Sequence, residues 1–247
     1  MKNNATINVL GVPVHPFTMH EAVSFLLDRV EKQLTTNVIT ANAEIIMLGL
    51  RNTRYFEILH KADCVLPDGA GTVWAGRTLG YQVPERVAGF DLFQELLKIG
   101  HSKNLRFYFF GASPDVARQA KEKCEKLYPG ISIVGYHHGY FTPEETQSIV
   151  EDINDSGANI LCVALGAPKQ EFWLAENAAQ LQPVIRIGLG GSLDALIGKV
   201  ARAPQWMQKA SLEWLFRLYK QPSRLGRMMV LPQFVFQVLA TKYGLKK

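Results

Sequence analysis

The sequence predicts an α/β fold of Rossmann-like type: a mostly parallel sheet with helices on both faces, plus a C-terminal helical appendage. Three observations carry this. Apolar, β-rich runs alternate with amphipathic stretches from residue 36 to about 200. Those runs are almost continuously apolar, as strands buried on both faces must be. After Ala203 no further strand pattern occurs, and the rest of the chain reads as helix.

In chain order, TNVIT (36–40), CVL (64–66), LRFYFFG (105–111), ISIVGY (131–136), NILCVALG (159–166) and PVIRIGLGG (183–191) read as strands. The stretches 114–127 and 143–156 read as helices between them. Thr18-x-x-Glu21 and Thr142-x-x-Glu145 have the spacing of capping boxes, in which hydroxyl and carboxylate satisfy each other's backbone N–H groups. Pro114 and Pro168 fall where a first helical turn begins, a place where a missing N–H costs nothing. In the tail, Pro222 and Pro232 are expected to break or kink the helices. The division that follows is a Rossmann-like core over residues 1–200 and a basic amphipathic appendage over 201–247.

Composition narrows the class. With 47% hydrophobic and 20% charged residues, the 247-residue chain is neither disordered nor collagen-like. Residues 1–6 are polar and short, so no secretory signal is expected. Cys64, Cys124 and Cys162 are odd in number, far apart and set in apolar runs, which implies buried thiols in a reducing cytosol. The net charge of +5 is unevenly held: residues 204–247 carry +7, with Glu213 their one acid, so the rest carries −2. A partner drawn to the tail is therefore anionic: a membrane surface, a phosphate or a nucleic acid.

Open parallel sheets bind ligands outside the carboxyl ends of their strands. The residues at those ends are Thr40, Ala41, Asn42 and Glu44; Asp68 and Gly69; Gly111 and Ser113; 137–140; 166–170; and 190–194. Several of these turns carry glycine and lead into helices, which suits backbone approach to a phosphate and equally suits plain strand-to-helix geometry. Asp68 in the Pro-Asp-Gly sequence has two readings: a turn former, or a carboxylate held at the mouth of a site as a general base. Arg86 is open in the same way, between a surface residue and a clamp for a phosphate or carboxylate.

Other chemistries lack their motifs. No two aspartates are separated by a single residue, so the D-x-D pair that holds a divalent ion in many sugar transferases is missing. The adjacent His137 and His138 are expected to diverge, which suits hydrogen bonding better than ligation. There is no G-x-x-x-x-G-K-[ST] phosphate loop and no G-x-S-x-G elbow, and GLGGSLD lacks the third spaced glycine of a dinucleotide fingerprint. No metal and no cofactor are expected, and a dehydrogenase is disfavoured.

In the tail, Arg217, Lys220, Arg224 and Arg227 are spaced three, four and three apart, which puts them along one helical face if Pro222 only kinks the helix. Trp214, Leu215, Phe216, Leu218, Leu225, Met228 and Met229 fill the gaps. The apolar run 225–239 is interrupted by Arg227 and Pro232 and falls short of the roughly 20 residues that span a bilayer. This reads as a segment lying on an anionic membrane, or packed on the core or a second subunit. Exposed Leu, Met and Phe do not favour a duplex, so nucleic acid is not expected.

Taken together, VITANAEIIML, ADCVLPDGAGTVWA, PERVAGFDLF, YHHGYF, ALGAPKQEFW, IGLGGSLDALIGKVARAPQWMQKASLEWLFRL and QPSRLGRM resemble the WecG/TagA/CpsF glycosyltransferases, glycosyltransferase family 26. The likeness runs in order from about residue 6 to 235, with Ala41 standing where the family commonly has proline. It implies an inverting bacterial transferase of an N-acetylmannosamine-type sugar from UDP to undecaprenyl-diphosphate-linked N-acetylglucosamine, in teichoic acid or related surface-polymer synthesis. It further implies Asp68 as general base, with Thr40 and Asn42 lining the donor site and Arg86 near the reacting groups. Tyr140, Gln170 and Asp194, with the Gly190–Gly191 turn, would hold uridine and ribose, and Arg217, Arg224 and Arg227 the diphosphate. The enzyme would work peripherally at the cytoplasmic membrane face, with the tail needed for activity and homo-oligomers possible. Two alternatives stay open: a donor such as the corresponding uronic acid, or a non-catalytic module that binds a nucleotide sugar at the membrane.

Overall fold

The computed structural model describes residues 5–201, 203–204, 206–207, 212–220 (Arg217 without its side chain), 226 and 229–245. The described chain opens with a two-stranded antiparallel hairpin, β1 (Ile7–Val9) and β2 (Val12–Val14). Its turn is Leu10-Gly11, both at positive φ (53° and 90°), the backbone twist that two-residue hairpins favour. Sequence reading missed this hairpin because three-residue strands are too short for a period of two to show, and Pro13 argues against a strand.

Six strands then build one parallel sheet: β3 (Thr36–Ala41), β4 (Cys64–Pro67), β5 (Arg106–Gly111), β6 (Ser132–His137), β7 (Ile160–Ala164) and β8 (Ile185–Gly188). Their order is β4-β3-β8-β7-β5-β6, with every neighbour parallel. All six correspond to strands expected from the sequence. The reason for the fold lies in the side chains. Along β5, Phe107 and Phe109 enter one core while Tyr108 and Phe110 enter another, so both faces need a cover.

One face is covered by α1 (Met19–Glu31), α5 (Gly89–Ile99), α6 (Pro114–Leu127) and α9 (Ser192–Ile197). The other carries α2 (Ala43–Arg51), α3 (Thr53–Lys61), α4 (Ala70–Thr78) and the hairpin over β3 and β4, then α7 (Thr146–Asp155) and α8 (Lys169–Glu176) over β5 and β7. The cap signals are used. Thr18 Oγ1 accepts from the Glu21 N–H (3.1 Å) and Glu21 Oε2 accepts from the Thr18 N–H (2.9 Å). Glu145 Oε2 accepts from the Thr142 N–H at 2.6 Å. Pro114 is the first residue of α6, and Pro168 directly precedes α8. The three cysteines are free and buried.

In the tail, α10 (Glu213–Lys220) and α11 (Val230–Lys242) are described. Pro232 does not break or kink α11. It sits in the first turn, where a backbone N–H has no helical partner to lose. Pro222 lies outside the described residues. On α11, Phe234 and Val238 are buried in the cluster that holds Ile39, Ala41, Val65 and Met47, so this helix is bonded by packing to the sheet's cover. None of the helices, over the described residues, is long and apolar enough to cross a membrane.

Candidate functional site

The sheet order sets where a ligand fits. After β5 the chain runs through α6 outwards to β6, while after β7 it runs through α8 the other way to β8. Adjacent strands whose connections diverge leave a crevice at their carboxyl ends. A cleft of about 650 Å³ lies there, lined by Ala112 and Ser113 after β5, residues 139–142 after β6, Leu165 and Lys169 after β7, and Asp194 and Lys199 after β8.

Its polar groups come from four connections. Tyr140 stands at the wall with 74% of its surface exposed. Lys169 Nζ donates to the Gly139 carbonyl at 3.3 Å and lies 4.6 Å from the centre of the Phe141 ring, tying α8 to the loop after β6. Asp194, in the first turn of α9, has Lys199 Nζ 3.8 Å from its carboxylate. His137 and His138 do not diverge: their rings stand 4.6 Å apart, because β6 ends at His137 and the strand alternation ends with it. Among the described residues, no three of His, Cys, Asp and Glu gather as a metal-binding group.

A second, charged cluster occupies the same sheet edge at β3 and β4. The register pairs Thr40 with Leu66 and Ala41 with Pro67, so Asn42 and Asp68 leave the sheet side by side. The Asp68 N–H donates to the carbonyls of Ala41 (3.1 Å) and Leu66 (2.9 Å), and the same Ala41 carbonyl accepts from Thr72 Oγ1 at 2.9 Å. Proline has that carbonyl too, so the bonds that form this turn do not depend on which residue stands at 41. Gly69 follows at φ +99°, a conformation that a side chain would strain. Asp68 is thus both a turn residue and a half-buried carboxylate on the ligand edge.

Arg86 completes this cluster. The Val87 N–H donates to the Pro67 carbonyl at 3.0 Å, which fastens residue 86 beside the end of β4. Its guanidinium pairs with Glu213 of α10 and lies 3.5 Å from Asp91 of α5. Burial works to lower its pKa, but the hydrogen bond to Glu213 and the charges of Glu213, Asp68 and Asp91 raise it above the ordinary arginine value. Close to them, a Cβ on Gly89 would meet Thr40 Oγ1 at 2.9 Å, so glycine there lets α5 start against Thr40. Asn42 caps α2, its Oδ1 accepting from the Ile45 N–H at 3.0 Å.

The structure therefore gathers Thr40, Asn42, Asp68 and Arg86 at one cluster and Tyr140 and Asp194 at the cleft. Gln170 is different: it is 5% exposed and spends its carbonyl oxygen on the Gly190 N–H at 3.0 Å. Gly190 and Gly191 border open space. Arg217 lies on α10 with its side chain outside the described residues, and Arg224 and Arg227 lie wholly outside them. Sequence reasoning passed over Asp91, Phe141, Glu171 and Lys199, and noted Glu213 only as a charge. Glu213 gave a signal as the one acid of a basic tail, and the other four lie inside the family-like stretches PERVAGFDLF, YHHGYF, ALGAPKQEFW and IGLGGSLDALIGKVARAPQWMQKASLEWLFRL, where nothing singles them out.

Fold and site define a doubly wound α/β protein with a cleft at the strands' carboxyl edge, the place where proteins of this class bind nucleotides and other phosphate-bearing ligands. Within it, the chain belongs to the glycosyl transferase WecG/TagA/CpsF family, whose family model matches residues 7–247. A Bacillus spizizenii protein named N-acetylglucosaminyldiphosphoundecaprenol N-acetyl-beta-D-mannosaminyltransferase is 37% identical over 202 residues, 82% of this chain and 78% of that protein. Proteins of the same name are 34% identical in Bacillus subtilis (85% of this chain, 81% of that one) and 31% identical in Staphylococcus aureus (99% and 96%). The family that the motifs resemble is the family found.

Proposed function

We propose that this chain transfers N-acetylmannosamine from UDP to undecaprenyl-diphosphate-linked N-acetylglucosamine, with inversion and without a divalent metal. The observation that carries the proposal is the match along nearly the whole chain to relatives that are named for one activity. The geometry suits that reaction. In a single displacement the acceptor oxygen bonds to the sugar's C1 as the C1–O bond to UDP breaks on the opposite face, and Asp68 takes the acceptor's proton. Arg86 holds the Asp68 carboxylate by charge. Thr40 and the amide nitrogen of Asn42 flank the sugar, while Tyr140 and Asp194 receive the nucleoside end in the cleft.

The departing diphosphate needs positive charge, which Arg217, Arg224 and Arg227 would supply without a metal. A lipid-linked acceptor calls for work at a membrane surface, in this proposal the cytoplasmic face. Apolar side chains exposed along the tail support that location, among them Trp206 (64%), Tyr219 (79%) and Phe236 (66%). The division into a core of residues 1–200 and an appendage of 201–247 belongs to the same proposal, as does homo-oligomer formation.

The test is transfer from UDP-N-acetylmannosamine to a lipid-diphosphate acceptor, read as product and released UDP. Activity should survive EDTA, and Asp68→Asn should cost about 10²–10⁴-fold in kcat, the usual worth of a general base. Full activity in Asp68→Asn would remove Asp68 from that role. An EDTA-dead enzyme restored by magnesium would remove metal independence.

A further inference from the structure

α8 starts at Lys169 in the cleft wall, but its next two residues turn inwards. Gln170 and Glu171 are 5% and 3% exposed, so neither presents itself to a ligand. They form a relay. Gln170 Oε1 accepts from the Gly190 N–H at 3.0 Å, and Gln170 Nε2 donates to Glu171 Oε1 at 2.7 Å. The orientation of the amide follows from the chain: only its oxygen can accept from a backbone N–H, which leaves the nitrogen for the carboxylate. The space around it is filled, since a Cβ on Gly188 would lie 2.5 Å from Gln170 Nε2 and 3.2 Å from Glu171 Oε1.

A buried carboxylate is a costly way to fill a helix face, because burial disfavours its charge. Burial indeed raises the Glu171 carboxyl above its ordinary value, against the bond from Gln170. The buried Tyr55 hydroxyl of α3 approaches the same carboxylate. What this carboxylate obtains is the direction of one amide. That amide in turn holds the Gly190 backbone at φ +53°, one residue before Gly191 caps α9. Asp194 then enters the cleft from the first turn of α9.

We propose that Glu171 is a positioning residue: it orients Gln170, which pins Gly190 and so sets where α9 begins and where Asp194 stands in the cleft. Gln170 likewise acts through the Gly190 turn and not by touching the ligand. The effect on donor binding rests on reading the cleft as the UDP site.

Three proteins are compared: the full-length chain, Glu171→Met, which keeps the volume and loses the acceptor, and Glu171→Gln, which keeps an acceptor. UDP affinity is read by calorimetry, and the exchange rate of the Gly190 amide by NMR. Glu171→Met should weaken UDP binding by about tenfold, the size of one lost buried hydrogen bond, and speed Gly190 exchange. Glu171→Gln should stay within about twofold of wild type in both, since an acceptor remains. Wild-type affinity and exchange in Glu171→Met would overturn the proposal, as would equal losses in both variants. Should Glu171→Met fail to fold, the wild-type chain still decides, because a Gly190 amide exchanging at the rate of an open loop overturns the anchor. If wild type binds no UDP while Gly190 is protected, the donor reading fails and the anchor stands.

Discussion

Arg86 shows how much a single residue's role depends on its neighbours. Glu213, Asp91 and Asp68 surround it, so its charge serves the protein's own carboxylates before any ligand. A planar guanidinium presents five N–H donors in a fixed fork that spans several carboxylates, whereas an ammonium is a compact point charge with three. Arg86→Lys should therefore lower kcat by about tenfold or more, while Glu213→Gln, which leaves Asp91 and Asp68 in place, costs less. Steady-state transfer rates of the two variants check this; equal rates to wild type would mean the cluster is not part of the reaction. Asp68 was legible in the sequence because a strand end is a local feature. The partners of Arg86 were not, because Glu213 is 127 positions away and no pattern in the chain joins the two.

At the scale of elements, α11 binds the tail to the rest of the fold. Phe234 is 1% exposed and Val238 fully buried, packed with residues of α2, α4 and β3. Phe234→Ala should cost about 3–5 kcal/mol of stability, the range for emptying a buried aromatic site. Urea unfolding measures it, and a loss under about 1 kcal/mol would show that α11 is only loosely held. Removal of the chain beyond Lys199 would strip this contact, so such a truncation changes the stability of the core along with its activity. The same helix turns Val235, Phe236 and Leu239 outwards, so one helix both closes a core and offers an apolar face. From sequence its apolar run was visible, but not which side of it was buried.

For the molecule as a whole, the exposed side of edge strand β4 is closed by the segment leading out of the hairpin. The His15 N–H donates to the Val65 carbonyl at 2.7 Å, and the ring's Nδ1 accepts from the Val65 N–H at 3.2 Å. A pairing edge left open invites other chains, and this contact closes it. Burial lowers the His15 pKa below its ordinary value of 6.5, outweighing the charge of Asp63. The unfolded chain therefore takes up a proton first as pH falls. The stability due to neutral His15 is fully present above about 6.5 and declines as pH drops from there towards the lower folded value. His15→Asn keeps an acceptor and removes the titration, so its stability should fall less between pH 7.5 and 5.5 when followed by urea midpoints. Parallel curves for the two proteins would discount His15.

The sequence by itself determined the six strands, their parallel pairing, the capped helix starts and the residues at the ligand edge. These depend on local periodicity, on turn chemistry and on the rule that strands buried on both faces need helices on each side. Only the tertiary structure decided that β8 inserts between β3 and β7, which places the two polar clusters along one edge of one sheet. It also decided that Gln170 faces inwards, that Glu213 meets Arg86 and that α11 joins the core. Each is a contact between segments far apart in the chain, chosen by packing and charge that no local pattern records.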